Sequence, residues 1–323
     1  MLGSAGFYSA LADWRRGRPS RSPVIIDCDP GIDDAFALAL AARSRELDVR
    51  LITTVAGNVS LELTTTNARA LVAALNRDDI PVAAGADRGL VRVKPSHRLV
   101  HGAGGLGGVE LRAVPVCARP QRAIDEIARV LEAAEPGSVT IVAIGPLTNV
   151  ALLLALRPDL EGRVARIITM NGSSGPGNVT PAAEYNTWAD PEAAQRVLTA
   201  DVEIWLAELQ VTRQATLDAE SRARIGTGSR IGSLLTAMLG GYADESPGNV
   251  PALHDVVAVA ALIDPGLVQT RAARVQVITD DGPRRGETVI SCDEARTDGS
   301  SVRVAVALDV ERLRRLLVSR LAD

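Results

Sequence analysis

The sequence predicts an α/β protein built on an open, mainly parallel, Rossmann-like sheet flanked by helices, with a helical insertion and a strand-rich C-terminal segment. Two observations predict it: strand-like and helix-like runs alternate for most of the chain, and the first strand breaks at a tight turn directly before a helix. Val24-Ile25-Ile26 reads as the first buried strand, with a helix from Asp33 whose apolar face continues through Ala37, Leu38 and Leu40. A strand at 49–55, a helix at 61–75 and a short strand at 80–83 follow. After a long glycine-rich loop, 85–119, come a helix at 122–134, a strand at 139–144, a helix at 147–156 and a strand at 164–170. Loops of that length inside compact domains are functional or disordered. Beyond a strand at 202–207 the pattern is mostly helical to about residue 263. The tail from Ala272 to Leu308 alternates in strand fashion around the turn Asp280-Asp281-Gly282, and a helix at 310–321 closes the chain. With no internal repeat and no linker, residues 23–323 are expected to form one domain behind a poorly ordered extension, 1–22.

Asp27, Asp29, Asp33 and Asp34 place four carboxylates within eight positions, at the carboxyl end of the first strand. Like charges that close repel unless a cation sits among them, and the carboxyl edge of an open α/β sheet is where ligands bind. Pro30-Gly31 forces the turn, and the helix dipole favours acids in the first helical turn. An oxygen-rich cluster suits Ca²⁺ or Mg²⁺ rather than zinc. A calcium-binding helix-loop-helix is excluded, because its loop needs glycine sixth and glutamate twelfth, where Ile32 and Leu38 stand. Simple capping would account for one aspartate, not four.

Composition narrows the class. A chain of 323 residues can bury a large core, and a net charge of −4 carries no nucleic-acid signature. Basic residues cluster only at Arg15, Arg16, Arg18 and Arg21, where no apolar segment follows to make a secretion signal. No apolar run reaches the roughly eighteen residues of a membrane span. Cys28, Cys117 and Cys292 lack metal-ligand spacing, so a reduced, cytoplasmic setting is expected.

Other strand ends carry polar groups suited to a small hydroxyl-rich ligand. Asn58 follows the second strand, and Ile144 ends another ahead of Pro146, with its carbonyl free to face the sheet edge. Asn178, Glu184 and Asn186 follow the strand ending at Met170, and His254-Asp255 precedes an apolar helix.

Taken together, these segments resemble the inosine-uridine nucleoside hydrolase family. DCDPGIDDAFAL at Asp27 to Leu38 matches the family's hallmark, and TTVAGN, HGAGGLGG, IGPLTN, AEYNTWADPEAA and HD follow in the family's order. The resemblance implies a mainly parallel α/β fold, assembly as a homodimer or homotetramer, and Ca²⁺-dependent hydrolysis of a ribonucleoside to base and ribose. It implies Asp29, Asp34 and Asp255 as carboxylate ligands to the metal and Ile144 as a ligand through its carbonyl. Asp29 would also be the general base toward the attacking water. Asp33, Asn58, Asn178, Glu184 and Asn186 match ribose-binding positions, and Asp27 is expected to orient its neighbours. His254 matches the residue that, in part of the family, protonates the departing base. His101 could approach the base or hold the loop, and His97 is expected outside the chemistry. Trp188 could line the pocket or the core, whereas Trp205 needs only a core explanation.

Gln210, where many relatives carry an acid, Asn171 and Ala103-Gly104 depart from the family pattern without touching an implied metal ligand. Two other functions share parts of this pattern. An aspartyl-phosphate phosphotransferase shares Asp-x-Asp after a strand but has no use for Pro30-Gly31 or Asp33-Asp34. A non-catalytic metal- and ribose-binding homologue would bind sugar without turnover.

Overall fold

The computed structural model describes residues 21–93, 100–111, 122–242, 251–292 and 302–323. Among the described residues nine strands form one sheet, in the order β3-β2-β1-β4-β5-β6-β9-β7-β8. They are β1 (Ser22–Cys28), β2 (Leu47–Thr54), β3 (Val82–Ala84), β4 (Val139–Ala143), β5 (Val164–Met170), β6 (Ile204–Ala207), β7 (Val268–Val277), β8 (Thr288–Ser291) and β9 (Val302–Leu308). Every pairing from β3 across to β9 is parallel, while β7 runs antiparallel to both β9 and β8. The first six strands therefore have the doubly wound order 3-2-1-4-5-6. Its switch point, the crevice between β1 and β4, is where such sheets hold their ligands.

β1 begins at Ser22, paired with Leu47, two residues ahead of the expected Val24. Its side chains alternate between two cores: Val24, Ile26 and Cys28 enter one, Ile25 the other. The helices are α1 (Ile32–Arg43), α2 (Leu61–Ala74), α3 (Ala123–Ala133), α4 (Thr148–Leu156), α5 (Tyr185–Ala189), α6 (Pro191–Leu198), α7 (Leu209–Thr212), α8 (Ala219–Gly228), α9 (Arg230–Leu239), α10 (His254–Ile263) and α11 (Val310–Leu321). Helices α7 to α10 lie between β6 and β7, and form the expected helical insertion.

The sequence suggests a one-sided apolar stripe for α1, but Ile32 through Ala41 are all buried. The reason is that α10, α9 and α11 pack around it against the sheet, and a helix enclosed on all sides must be apolar all round. Asp33 and Asp34, in its first turn, are consequently sealed at the sheet edge. Register levels the strand ends beside them: Asp27 stands opposite Thr53 of β2 and Ala143 of β4.

Residues 1–20 and His97 lie outside the described residues. Among the described residues no helix is long and apolar enough to cross a membrane.

Candidate active site

The chain leaves β1 as Asp29-Pro30-Gly31 and turns at once into α1. Asp34 folds back over that turn, accepting from the N–H of Asp29 at 3.2 Å and of Gly31 at 2.9 Å. Asn58, after β2, closes the arrangement. Its N–H donates to Oδ2 of Asp29 at 2.6 Å, and its amide donates to the Asp29 carbonyl at 3.1 Å and to Asp34 at 3.3 Å.

Glycines on both neighbouring strand ends make room for the Asp29 carboxylate. A Cβ on Gly145, after β4, would stand 2.7 Å from Oδ1, and one on Gly57, after β2, would overlap Oδ2. Asp29 is thus held at the switch point with its carboxylate between two strand ends.

Carboxylate oxygens of Asp33, Asp34 and Asp255 lie within 4.8 Å of one another, all three side chains buried. Burial raises all three above the ordinary carboxylate range. At Asp255 the charges of Asp33, Asp34 and Asp29 push the same way. Asp33, expected with the ribose-binding residues, is therefore equally part of this acidic trio. Asp29 joins it through its N–H bond to Asp34.

Asp27 points elsewhere. Its Oδ1 accepts from Thr53 Oγ1 at 2.5 Å and from Asn149 Nδ2 at 2.7 Å, and burial lifts its carboxyl to about 6. Asn149 also accepts from the N–H of Ala86 at 2.9 Å, so Asp27 links three strand ends as an orienting group.

Ile144 is buried, and its carbonyl accepts from the Asn186 amide at 3.0 Å. The same amide reaches the Met170 carbonyl at 3.0 Å, bridging the ends of β4 and β5. Glu184 caps α5, taking the N–H groups of Gly172, Asn186 and Thr187 at 2.9, 2.9 and 3.0 Å; burial still raises it to about 7. Asn178 is exposed and its Oδ1 accepts from the N–H of Tyr185 at 2.9 Å. In this structure that side chain supports the turn into α5.

Two histidines border the acids. His101 Nδ1 accepts from the N–H of Ile32 at 3.1 Å, its Nε2 lies 3.8 Å from Asp33, and its ring meets Tyr242 edge-on at 5.2 Å. A ring nitrogen that accepts carries no proton, so neutral His101 holds its proton on Nε2. His254 is half-buried, with Nδ1 2.9 Å from Thr212 Oγ1. Burial lowers both imidazoles to about 4. The glycine-rich loop is tied down by Asn67, whose amide donates to the carbonyls of Pro30 at 3.1 Å and Gly104 at 2.9 Å.

Sequence reasoning passed over Thr53, Gly57, Asn67, Gly145, Asn149 and Thr212. Tyr185 belongs with them: its phenol is raised by burial and by the charges of Asp29, Glu184 and Asp34. Its only sequence signal was its place between Glu184 and Asn186. Trp188 is half-buried beside it, ring centroids 6.1 Å apart, and Trp205 is buried in β6.

This constellation, a buried acidic trio and a separately held carboxylate at the switch point of a doubly wound sheet, fits a glycosidase acting on N-glycosyl compounds. The family model described as inosine-uridine preferring nucleoside hydrolase matches residues 24–315. The chain belongs to that family. It is 41% identical over 305 residues to the non-specific ribonucleoside hydrolase RihC of Escherichia coli strain SMS-3-5 / SECEC, covering 94% of this chain and 99% of the relative. Against RihC of Klebsiella pneumoniae subsp. pneumoniae the figures are 41% over 298 residues, 91% and 96%.

Solved structures agree. A plant nucleoside hydrolase, PpNRh1, superposes with a TM-score of 0.85 at 35% identity, covering 93% of this chain and 99% of that one. A purine-preferring ribonucleoside hydrolase from Gardnerella vaginalis gives 0.85 at 28% identity, covering 93% and 98%.

Proposed function

We propose that this protein hydrolyses the N-glycosidic bond of ribonucleosides in a Ca²⁺-dependent reaction, releasing free base and ribose, with Asp29 as general base. The observation that carries it is the packing of Asp33, Asp34 and Asp255 within 4.8 Å, each raised by burial. A site that costs this much repulsion fits a divalent cation, and an oxygen-only donor set fits calcium. Asp29, Asp34, Asp255 and the Ile144 carbonyl would hold it. The Ile144 oxygen, already accepting once from Asn186, keeps a second lone pair for that purpose. When bound, calcium would position and polarise water and draw in the ribose hydroxyls.

Asp29 would take a proton from water as its oxygen attacks C1′. The C1′–N bond breaks, its electron pair leaves with the base, and that base takes a proton from the imidazolium form of His254, which becomes neutral. Asp33, Asn58, Asn178, Glu184 and Asn186 would hold the sugar hydroxyls and fix C1′, which matters because charge develops there as the bond breaks. Breadth toward purine and pyrimidine nucleosides is supported by the non-specific RihC relatives. The same reading takes residues 23–323 as one cytoplasmic catalytic unit, assembled as a homodimer or homotetramer.

The test is release of free ribose from a panel of inosine, uridine, cytidine and adenosine, with Ca²⁺ and with EDTA. Turnover is expected with Ca²⁺, lost with EDTA and lost in Asp29→Ala. Activity at the parental level in a chelated, metal-free preparation, or in Asp29→Ala, would overturn the reading.

A further inference from the structure

Three histidines occur in the chain, and among the described residues only His254 has a ring nitrogen engaged by a threonine from the helical insertion. Thr212, the last residue of α7, is fully buried. Its Oγ1 lies 2.9 Å from Nδ1 of His254 and 3.3 Å from the Leu209 carbonyl. A hydroxyl has one proton and two lone pairs. It can donate to Nδ1, or accept from Nδ1–H while donating to Leu209, so the contact persists whichever ring nitrogen carries the proton. Nδ1 is thereby occupied, and Nε2 is the ring nitrogen left to meet a ligand.

A positioning group is useful only if it is itself fixed, and the turn that carries Thr212 is bonded on three sides. The N–H of Leu209 donates to the Gly172 carbonyl at 3.0 Å. Glu208 accepts from the N–H of Gln210 at 2.9 Å and of Ser174 at 3.0 Å. Gln210 donates its amide to Ser173 Oγ at 2.7 Å and to the Pro176 carbonyl at 2.9 Å, a double donation that an acid at this position could not make. On the far side, the N–H of Leu253, directly before His254, donates to the Ala215 carbonyl at 2.7 Å. Hydroxyl and imidazole are therefore built on backbone segments bonded to each other.

We propose that Thr212 is a positioning residue for the leaving-base side of the reaction, its hydroxyl holding the His254 ring so that Nε2 faces the substrate. This rests on His254 standing at the departing base. The structure adds the side chain that sets its orientation, and it comes from the same turn that fixes the loop leading to Asn178.

The experiment compares Thr212→Val, which keeps the shape and removes the hydroxyl, Thr212→Ser, which keeps the hydroxyl, His254→Ala, and the double variant Thr212→Val/His254→Ala. Inosine, whose base needs protonation, is set against p-nitrophenyl riboside, whose leaving group does not. Thr212→Val is expected to lose about ten- to 10²-fold in kcat on inosine, the scale of a misplaced group, with KM little changed and p-nitrophenyl riboside largely spared. Thr212→Ser should restore most of the loss, and the double variant should be no slower than His254→Ala. Equal losses on both substrates, or multiplying losses in the double variant, would overturn the proposal.

Should His254→Ala itself slow both substrates equally, the leaving-base reading fails, and ring nitrogen signals from ¹⁵N-histidine labelling decide on Thr212. Replacing His97 and His101 in turn assigns the three sets. His254 signals that move in Thr212→Val and return in Thr212→Ser sustain the positioning contact. Signals that stay put overturn it.

Discussion

Asn58 donates its main-chain N–H to Oδ2 of Asp29 at 2.6 Å, and Gly57 beside it leaves no space for a side chain against that same oxygen. The amide can approach because residue 57 has no Cβ. Tight backbone approach and carboxylate placement are therefore one feature of the turn after β2.

Gly57→Ala should consequently act as an active-site substitution although position 57 carries no functional group. The added methyl must push the Asp29 carboxylate aside or move the turn, a displacement on the scale that costs about 10²-fold in rate. Overpacking of this kind typically costs about 1–3 kcal/mol of stability, which a chain of this size tolerates. Steady-state kinetics with a urea melt check it. Turnover within a few-fold of parent would mean that the exact position of Asp29 matters little.

Stability should depend on pH and calcium jointly. Asp33 and Asp34 rise, chiefly through burial, to about 6, and Asp255 is also raised. The ordinary carboxylate value is about 4. An acid raised in the folded state adds stability that is complete below about pH 4 and is lost as pH climbs through about 6. A bound divalent cation favours the ionised form and cancels that loss. The rise in Tm caused by Ca²⁺ over EDTA should therefore grow from about pH 5 to about pH 7.5. His101 and His254, lowered by burial to about 4, contribute stability present above about pH 6.5 and lost as pH falls through about 4. To first order that contribution is shared by both conditions and drops out of the difference. A calcium effect that shrinks with rising pH would place the cation elsewhere.

The fold was legible because its signals are local. β5 and α11 fall on the expected residues 164–170 and 310–321, and most other boundaries shift by two residues or fewer. β1 and the acids were legible through one contiguous motif. What could not be read is what depends on contacts distant in sequence. Asn149 reaches Asp27 across 122 residues and Thr212 reaches His254 across 42, with no periodicity to announce either pair. Asn178 is legible by its place in the ordered motifs, but the acceptance of the Tyr185 N–H by its carbonyl oxygen is not.

Asp190 was another such residue, present in the AEYNTWADPEAA segment but without an expected role. It is buried, and its carboxylate takes the Thr148 hydroxyl at 2.6 Å and the N–H groups of Leu90 and Ala193 at 2.9 and 3.1 Å. Three donors from the start of α4, the glycine-rich loop and the first turn of α6 converge on one side chain. Asp190→Ala strands all three, and a buried donor left without a partner costs about 1–3 kcal/mol. Water entering the vacated space recovers part of that, so a net loss of about 2–4 kcal/mol is expected in urea unfolding. Asp190→Asn keeps one acceptor oxygen but points an NH₂ group at a donor, and should recover less than half of the loss. A ΔΔG below about 1 kcal/mol for Asp190→Ala would show that the loop and the two helices hold their places without this junction.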